Sequence, residues 1–282
     1  FAQGGLRYTI TVTKFENEAG WHGQWDIGDA WGSVMTDILN QTGKFIVLGE
    51  SDMRAEALAE QDFAASGRTA GGSKAPVTGQ MTPAQLLVKG AITHVQDSTT
   101  GGGGGVSIRG IRVGGSKDKA EINATIYLVD STTGQVVAST RVTGEAGRRG
   151  GRLGYSGGYF AGDVNAFKKD NVGKAVEDAV SQAVDWLTGQ LPGVKWTGAV
   201  ALVNGGKVYV NRGTREGVAM GQTFVVGEET VIRDPDTGEV LDSSLETLAT
   251  LKAVDVKEKL AICEVVSGDA SRVSKGMAVH LP

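Results

Sequence analysis

Ala120, Ile122, Ala124, Ile126 and Leu128 place an apolar side chain at every second position. That period of two describes a β-strand with one buried face. Asp130-Ser131-Thr132-Thr133-Gly134-Gln135 reads as a hairpin turn, and Val136 to Val142 as the returning strand. Farther on, Val172, Val176, Val180, Ala183, Leu187 and Leu191 form an apolar helical stripe, with Asn171 or Asp170 as its cap. Pro192-Gly193 ends that helix and marks a domain boundary.

Upstream, strands and helices alternate. Leu6, Tyr8, Ile10 and Val12 share one face of a strand over 6–13. A loop with Trp21, His22 and Trp25 precedes a helix carrying Trp31, Val34, Met35, Ile38 and Leu39, with Asp29 near its start and Gly43 past its end. Lys44 to Leu48 reads as a short strand. Ser51 is expected to cap a second helix bearing Met53, Ala57 and Leu58. Ser66 to Gly79 is loop. Thr82-Pro83-Ala84-Gln85 has the form of a capping box with Pro at the first helical position, and Leu87 to Val95 reads as strand. This order argues an α/β layer.

Glycine sets the middle of the chain apart. The 282 residues include 43 glycines and 5 prolines with no G-X-Y period, which excludes collagen. The glycines crowd into 101–115 and 144–162, the second tract also holding Tyr155, Tyr159 and Phe160. Beyond residue 196 the pattern becomes all-β. Asn204-Gly205-Gly206 signals a hairpin, Asp234-Pro235-Asp236-Thr237-Gly238 a turn, and strand-like runs at 222–226, 248–255, 259–266 and 277–281 complete a small barrel. The fold class expected is α+β: an α/β body over 1–193, then a small all-β barrel-like domain over 194–282.

Several chemistries are disfavoured by the residues themselves. A net charge of −4 argues against nucleic acid. Gly101–Gly105 lacks the Lys-Ser/Thr and following helix of a phosphate loop. Gly154-Tyr155-Ser156-Gly157-Gly158 matches G-x-S-x-G, but the residues after Ser156 do not start a helix. His22, His94 and His280 have no metal-ligand spacing, and Asp234 and Asp236 fit a turn better than a calcium loop. Cys263 lies in an apolar strand and reads as a buried thiol. No enzyme, cofactor or metal is expected. The start at Phe1-Ala2-Gln3 fits a mature exported product.

Leu86-Leu87-Val88-Lys89-Gly90-Ala91-Ile92-Thr93, the strand Ile122 to Val129, and Asp130 to Ser139 together resemble the curli secretion channel (CsgG) family, over roughly residues 6–190. The carboxy-terminal region, through Gly205 to Asn211, Gly213, Gly217-Val218, Gly221 and Asp234 to Leu241, resembles a β module of flagellar assembly protein T.

The resemblance implies an exported subunit, in the periplasm or outer membrane, that assembles with itself into a ring and meets secreted or assembled protein subunits. It implies two β-hairpins given to a shared barrel, at about 101–129 and 137–165. Val106, Ile108, Ile111, Val113, Tyr155, Tyr159 and Phe160 are the barrel candidates. Lys117, Lys119, Arg148, Arg149 and Arg152 are the hairpin-tip candidates, and Trp21 and Trp25 the constriction-loop candidates. Neither face of Val106–Val113 is wholly apolar, because Arg109 and Arg112 fall on opposite faces. An arginine facing lipid at mid-membrane costs roughly 2–4 kcal/mol. The alternative reading is therefore a soluble periplasmic scaffold without a pore.

Overall fold

The computed structural model of the protein describes residues 6–68, 75, 76, 78, 81–97, 120–147, 155, 164–236, 238 and 240–282. The chain divides into two compact units, one of Thr9–Leu191 and the other of Phe1–Tyr8 with Pro192–Pro282.

The body comprises β1 (Tyr8–Val12), β2 (Glu16–Asn17), α1 (Ile27–Thr42), β3 (Phe45–Val47), α2 (Ser51–Ala65), β4 (Leu86–Asp97), β5 (Ala120–Asp130), β6 (Val136–Glu145), α3 (Val164–Lys169) and α4 (Asn171–Gln190). Its sheet has the order β3-β1-β4-β5-β6, with β2 beside β4. β1 and β4 run parallel, whereas β4, β5 and β6 form an antiparallel meander. Ala120, Ile122, Ala124, Ile126 and Leu128 all point into the core, as their alternation requires.

α1 and α4 supply the cover. Trp31, Val34, Met35, Ile38 and Leu39 of α1 are buried, as are Val172, Val176, Val180, Ala183 and Leu187 of α4. Each such side chain contributes about 1.5–3 kcal/mol relative to exposure. Local chemistry sets the helix ends. Asp26 accepts from the Asp29 amide and caps α1, while Gly43 turns left-handed (φ 63°) to close it. Asp170 accepts from the Val172 amide and caps α4. Gly144 lets α4 approach β6: a Cβ there would lie 2.0 Å from the Ala175 carbonyl oxygen and 2.7 Å from the Ala179 Cβ.

Three local expectations need correction. Thr82 to Gln85 forms no helix. Gln85 is instead engaged by β1: its side chain accepts from the Thr9 amide (3.1 Å), and its own amide donates to the Thr9 carbonyl (3.0 Å). These pairings defeat the local capping signal. β1 is buried on both faces rather than one: its second face carries Thr9 and Thr11, whose hydroxyls donate to Gln85 Oε1 (3.3 Å) and the Gly49 carbonyl (2.7 Å). The cap position of α2 is Glu50, not Ser51. Met53 and Leu58 of α2 are each 50% exposed.

The second unit comprises β7 (Thr197–Asn204), β8 (Lys207–Val210), β9 (Thr223–Arg233), β10 (Val240–Val256), β11 (Ala261–Gly268) and β12 (Ala278–His280). They close into a barrel in the order β10-β11-β8-β7-β12-β9. Gly205 (φ 59°) and Gly206 (φ 76°) make the β7–β8 turn, whose two left-handed positions suit the strand twist. Trp196 stacks on Phe224 at 5.3 Å inside, beside Val208, Val226, Leu251 and Cys263. Glu216 is buried but satisfied: its carboxylate accepts from the Gly213 amide (2.8 Å) and from Arg215 Nε (2.8 Å).

Two outcomes check this packing. Gly144→Ala forces α4 off β6 and lowers stability by about 1–3 kcal/mol in urea unfolding. Gly189→Ala, a helical site with open space around it, raises stability by up to about 1 kcal/mol. Burial pushes the Cys263 thiol up to about 12. The folded state thus favours the protonated thiol; its contribution is whole below the ordinary value of 9.0 and is lost as pH rises toward about 12. Thiol reagents at pH 8 accordingly label Cys263 only after unfolding.

Candidate functional site

Three segments gather at one end of the body sheet. β4 finishes at Asp97, whose register partner is Ala120, the first residue of β5. β6 finishes at Glu145, opposite Glu121, and the Ala146 amide donates to the Ala120 carbonyl (2.8 Å). Residues 98–119 and 148–154 therefore depart from the same end of three adjacent strands. β2 runs parallel to β4, with Asn17 opposite Ile92, and the Ala19 amide donates to the Ile92 carbonyl (2.9 Å). The loop from Glu18 to Asp26 follows in the direction of that same end.

This loop is built around aromatic contacts. Asn17 brackets it: its Nδ2 donates to the Trp21 carbonyl (2.7 Å), and its Oδ1 accepts from the Trp21 amide (3.3 Å). A Gly23 Cβ would stand 1.9 Å from the Trp21 ring, so a larger residue at 23 must displace that ring. Trp21 and Trp25 rings lie 4.7 Å apart. Trp25 meets Phe167 edge-on at 5.1 Å, and Phe167 meets Tyr155 at 5.8 Å. Trp25 Nε1 donates to Asp170 Oδ2 (3.3 Å), so one carboxylate both anchors the loop and caps α4. Lys14 bridges Asp29 (2.7 Å) and Asp26 (3.6 Å), and its ammonium is held above the usual lysine range chiefly by the Asp29 hydrogen bond.

The sequence candidates fall into three groups. Trp25 is buried and Trp21 half-buried, while His22, Gly23 and Gln24 form the exposed part of the loop. Tyr155 is buried against Phe167, with its amide donating to Glu177 Oε1 (2.8 Å) and Lys168 Nζ 5.5 Å from its ring centre. Burial, then the Asp37 charge, pushes its phenol up to about 12. Val106, Ile108, Ile111, Val113, Lys117, Lys119, Arg148, Arg149, Arg152, Tyr159 and Phe160 lie outside the described residues, as do the expected strand Val106–Val113 and Ser156. Gln24 had gone unmarked; its position between two tryptophans is the available signal. His94 is exposed on β4 and His280 half-buried on β12. Among the described residues, no group of three or more His, Cys, Asp or Glu side chains could hold a metal ion, and no helix is long and apolar enough to cross a membrane.

The opposite face of the sheet from α4 carries a groove of about 460 Å³ lined by Thr93, Asn123, Thr125, Arg141 and Thr143. Its floor is ordered by the Thr143 hydroxyl, which donates to Asn123 Oδ1 (2.7 Å). Trp25→Ala removes the aromatic bridge and leaves Asp170 short of one donor; it lowers stability by about 3–5 kcal/mol in denaturant titration, whereas Trp25→Phe keeps most of the packing and costs about 1 kcal/mol.

Solved structures similar to the chain include the PelC dodecamer from Paraburkholderia phytofirmans, at 13% identity over 65% of this chain and 92% of that chain (TM-score 0.33). The hypothetical protein CT253 from Chlamydia trachomatis is 10% identical over 67% and 99% (TM-score 0.40). Lipoprotein GNA1162 from Neisseria meningitidis is 15% identical over 66% and 99% (TM-score 0.28). No curated protein sequence matches the chain. One family does, over residues 2–220: the chain belongs to the family of the curli production assembly/transport component CsgG.

Proposed function

We propose that this protein is a non-enzymatic, ring-forming subunit of an envelope secretion or assembly channel of the curli type, exported to the periplasm or outer membrane. The observation that carries the reading is the common exit of 98–119 and 148–154 from one end of adjacent strands, beside the aromatic loop. Copies arranged about one axis would present these segments together, so that hairpins from each subunit close into a shared barrel or collar. Closure pairs every strand edge, which a lipid environment demands. Glu18–Asp26 is then the constriction, held by Trp25 and Asp170, with His22 and Gln24 reaching the lumen. The partners are further copies of the chain, the outer membrane, and the protein subunits that pass or assemble. No cofactor takes part.

A second reading keeps the ring and drops the pore. Arg109 and Arg112 favour it: they fall on opposite faces of the expected strand, so one of them faces lipid whichever face is turned outward.

Membrane fractionation and bilayer recording test the channel. Outer-membrane association resistant to carbonate and urea, with ion conductance in planar bilayers, is the expected result. Gln24→Trp narrows the lumen and lowers that conductance without changing thermal stability. Full extraction by carbonate and absence of conductance contradict the channel and leave the soluble scaffold.

A further inference from the structure

The barrel carries an arm. β9 pairs with β12 only through Val225–Gly227, and β10 pairs with β11 only from Ala249 onward. Beyond those points β9 and β10 pair with each other alone, from Glu228 opposite Glu246 to Arg233 opposite Val240. The β9 side of this ribbon, Glu228–Arg233, extends over about 20 Å. Every side chain from Glu228 to Arg233 is exposed, including Val231 (39%) and Ile232 (52%). A two-stranded ribbon is only marginally stable in water by itself, and a third strand supports it.

The two edges of the ribbon differ. On the β10 side, the Asp269 amide donates to the Leu248 carbonyl (2.9 Å) and Arg272 meets Glu246 (3.6 Å), so residues 269–272 cover the start of that edge. On the β9 side, β12 begins at Ala278, opposite Gly227, and the chain before it turns to β7: the Gly276 amide donates to the Val200 carbonyl (2.8 Å). The lane beside Glu228–Arg233 is thus left open, with no partner strand among the described residues. An unpaired edge of this kind is a template for one more strand.

Charge selects that strand. Residues 228–246 hold seven Asp or Glu and one basic residue, Arg233, so this stretch is more negative than the whole chain, whose net charge is −4. Glu228 and Glu246 stand directly opposite each other, a like-charge pair that weakens the ribbon. Glu228, Glu229 and Asp242 have no ion-pair partner among the described residues. The arm of a second copy brings the same excess of acid and adds to the repulsion. A strand with Lys or Arg beside Glu228 and Glu229, and aliphatic residues beside Val231 and Ile232, relieves it and covers the apolar surface.

We propose that the β9 edge of this arm receives a basic, extended segment of another protein by strand addition, antiparallel to β9 as β10 and β12 are. Main-chain pairing along Glu228–Arg233 supplies the affinity, and the two glutamates and two aliphatic residues supply the choice of sequence. The docking concerns the barrel unit alone, so it stands or falls separately from the ring.

The probe is the capped, fluorescently labelled peptide Thr-Val-Ile-Thr-Lys-Lys-Thr, whose order runs antiparallel to Glu228–Ile232. It is titrated with the full chain at low ionic strength and followed by anisotropy. Saturable binding is expected, at least tenfold weaker for a scrambled peptide of the same composition and for the variant carrying Glu228→Lys and Glu229→Lys. That variant is expected to bind Thr-Val-Ile-Thr-Glu-Glu-Thr instead, which separates lost charge from misfolding. Strand addition uses the amides of alternate residues. Peptide N-methylated on one alternate set therefore loses binding, and peptide methylated on the other set keeps it. Absence of saturation, equal binding of the scrambled peptide, failure of the charge exchange, or equal effects of the two methylation sets overturns the proposal. So does an arm-to-arm dimer of the chain that the peptide fails to displace.

Discussion

The meander β4–β5–β6, sealed on one face by α4, is the constraint on which the body depends. Its strength lies in two close approaches. Gly144 admits the α4 backbone to β6, and Gly90 admits the Phe15 ring to β4, where a Cβ would fall 2.3 Å from that ring and 2.4 Å from the Thr125 carbonyl. Interiors are packed at crystal density, so neither site tolerates a methyl group without displacement. The ends of these three strands bring Asp97, Ala120 and Ala146 together at one end of the sheet. Helix packing and the placing of the candidate site are therefore one problem.

A second dependence runs through Asp170. Its two oxygens serve the α4 terminus and the Trp25 indole, joining the start of the covering helix to the aromatic loop. A loop held in this way keeps its shape without a partner. It presents His22 and Gln24 rather than the tryptophans flanking them. Large aromatic side chains near a turn suggest a binding or lining role from sequence, and here packing takes most of that aromatic surface.

Much of the fold was legible because period and punctuation agreed. The alternation at 120–128, the stripe at 172–187 and the paired glycines at 205–206 each matched burial or φ directly. At Thr82 to Gln85 the four-residue local signal loses to strand pairing that joins residues 76 apart. α2 was assigned correctly as a helix from its composition, but its apolar residues circle the axis and no burial inside the subunit selects a face. At the site, the loop and its tryptophans were visible in the sequence. Their coupling to Asp170 and Phe167 was not, since it depends on contacts between segments 142 to 145 positions apart. The glycine-rich tracts remain the link between fold and proposed function through their points of departure from the sheet.

The central claim is that copies of this chain close around an axis. Particle images of the purified protein, recorded with and without detergent, test it most directly. The account predicts annular particles of uniform diameter, each an integral number of 29.3 kDa chains, with density for the glycine-rich segments on one side of the ring. A monodisperse 29.3 kDa monomer at high concentration in both conditions would contradict it.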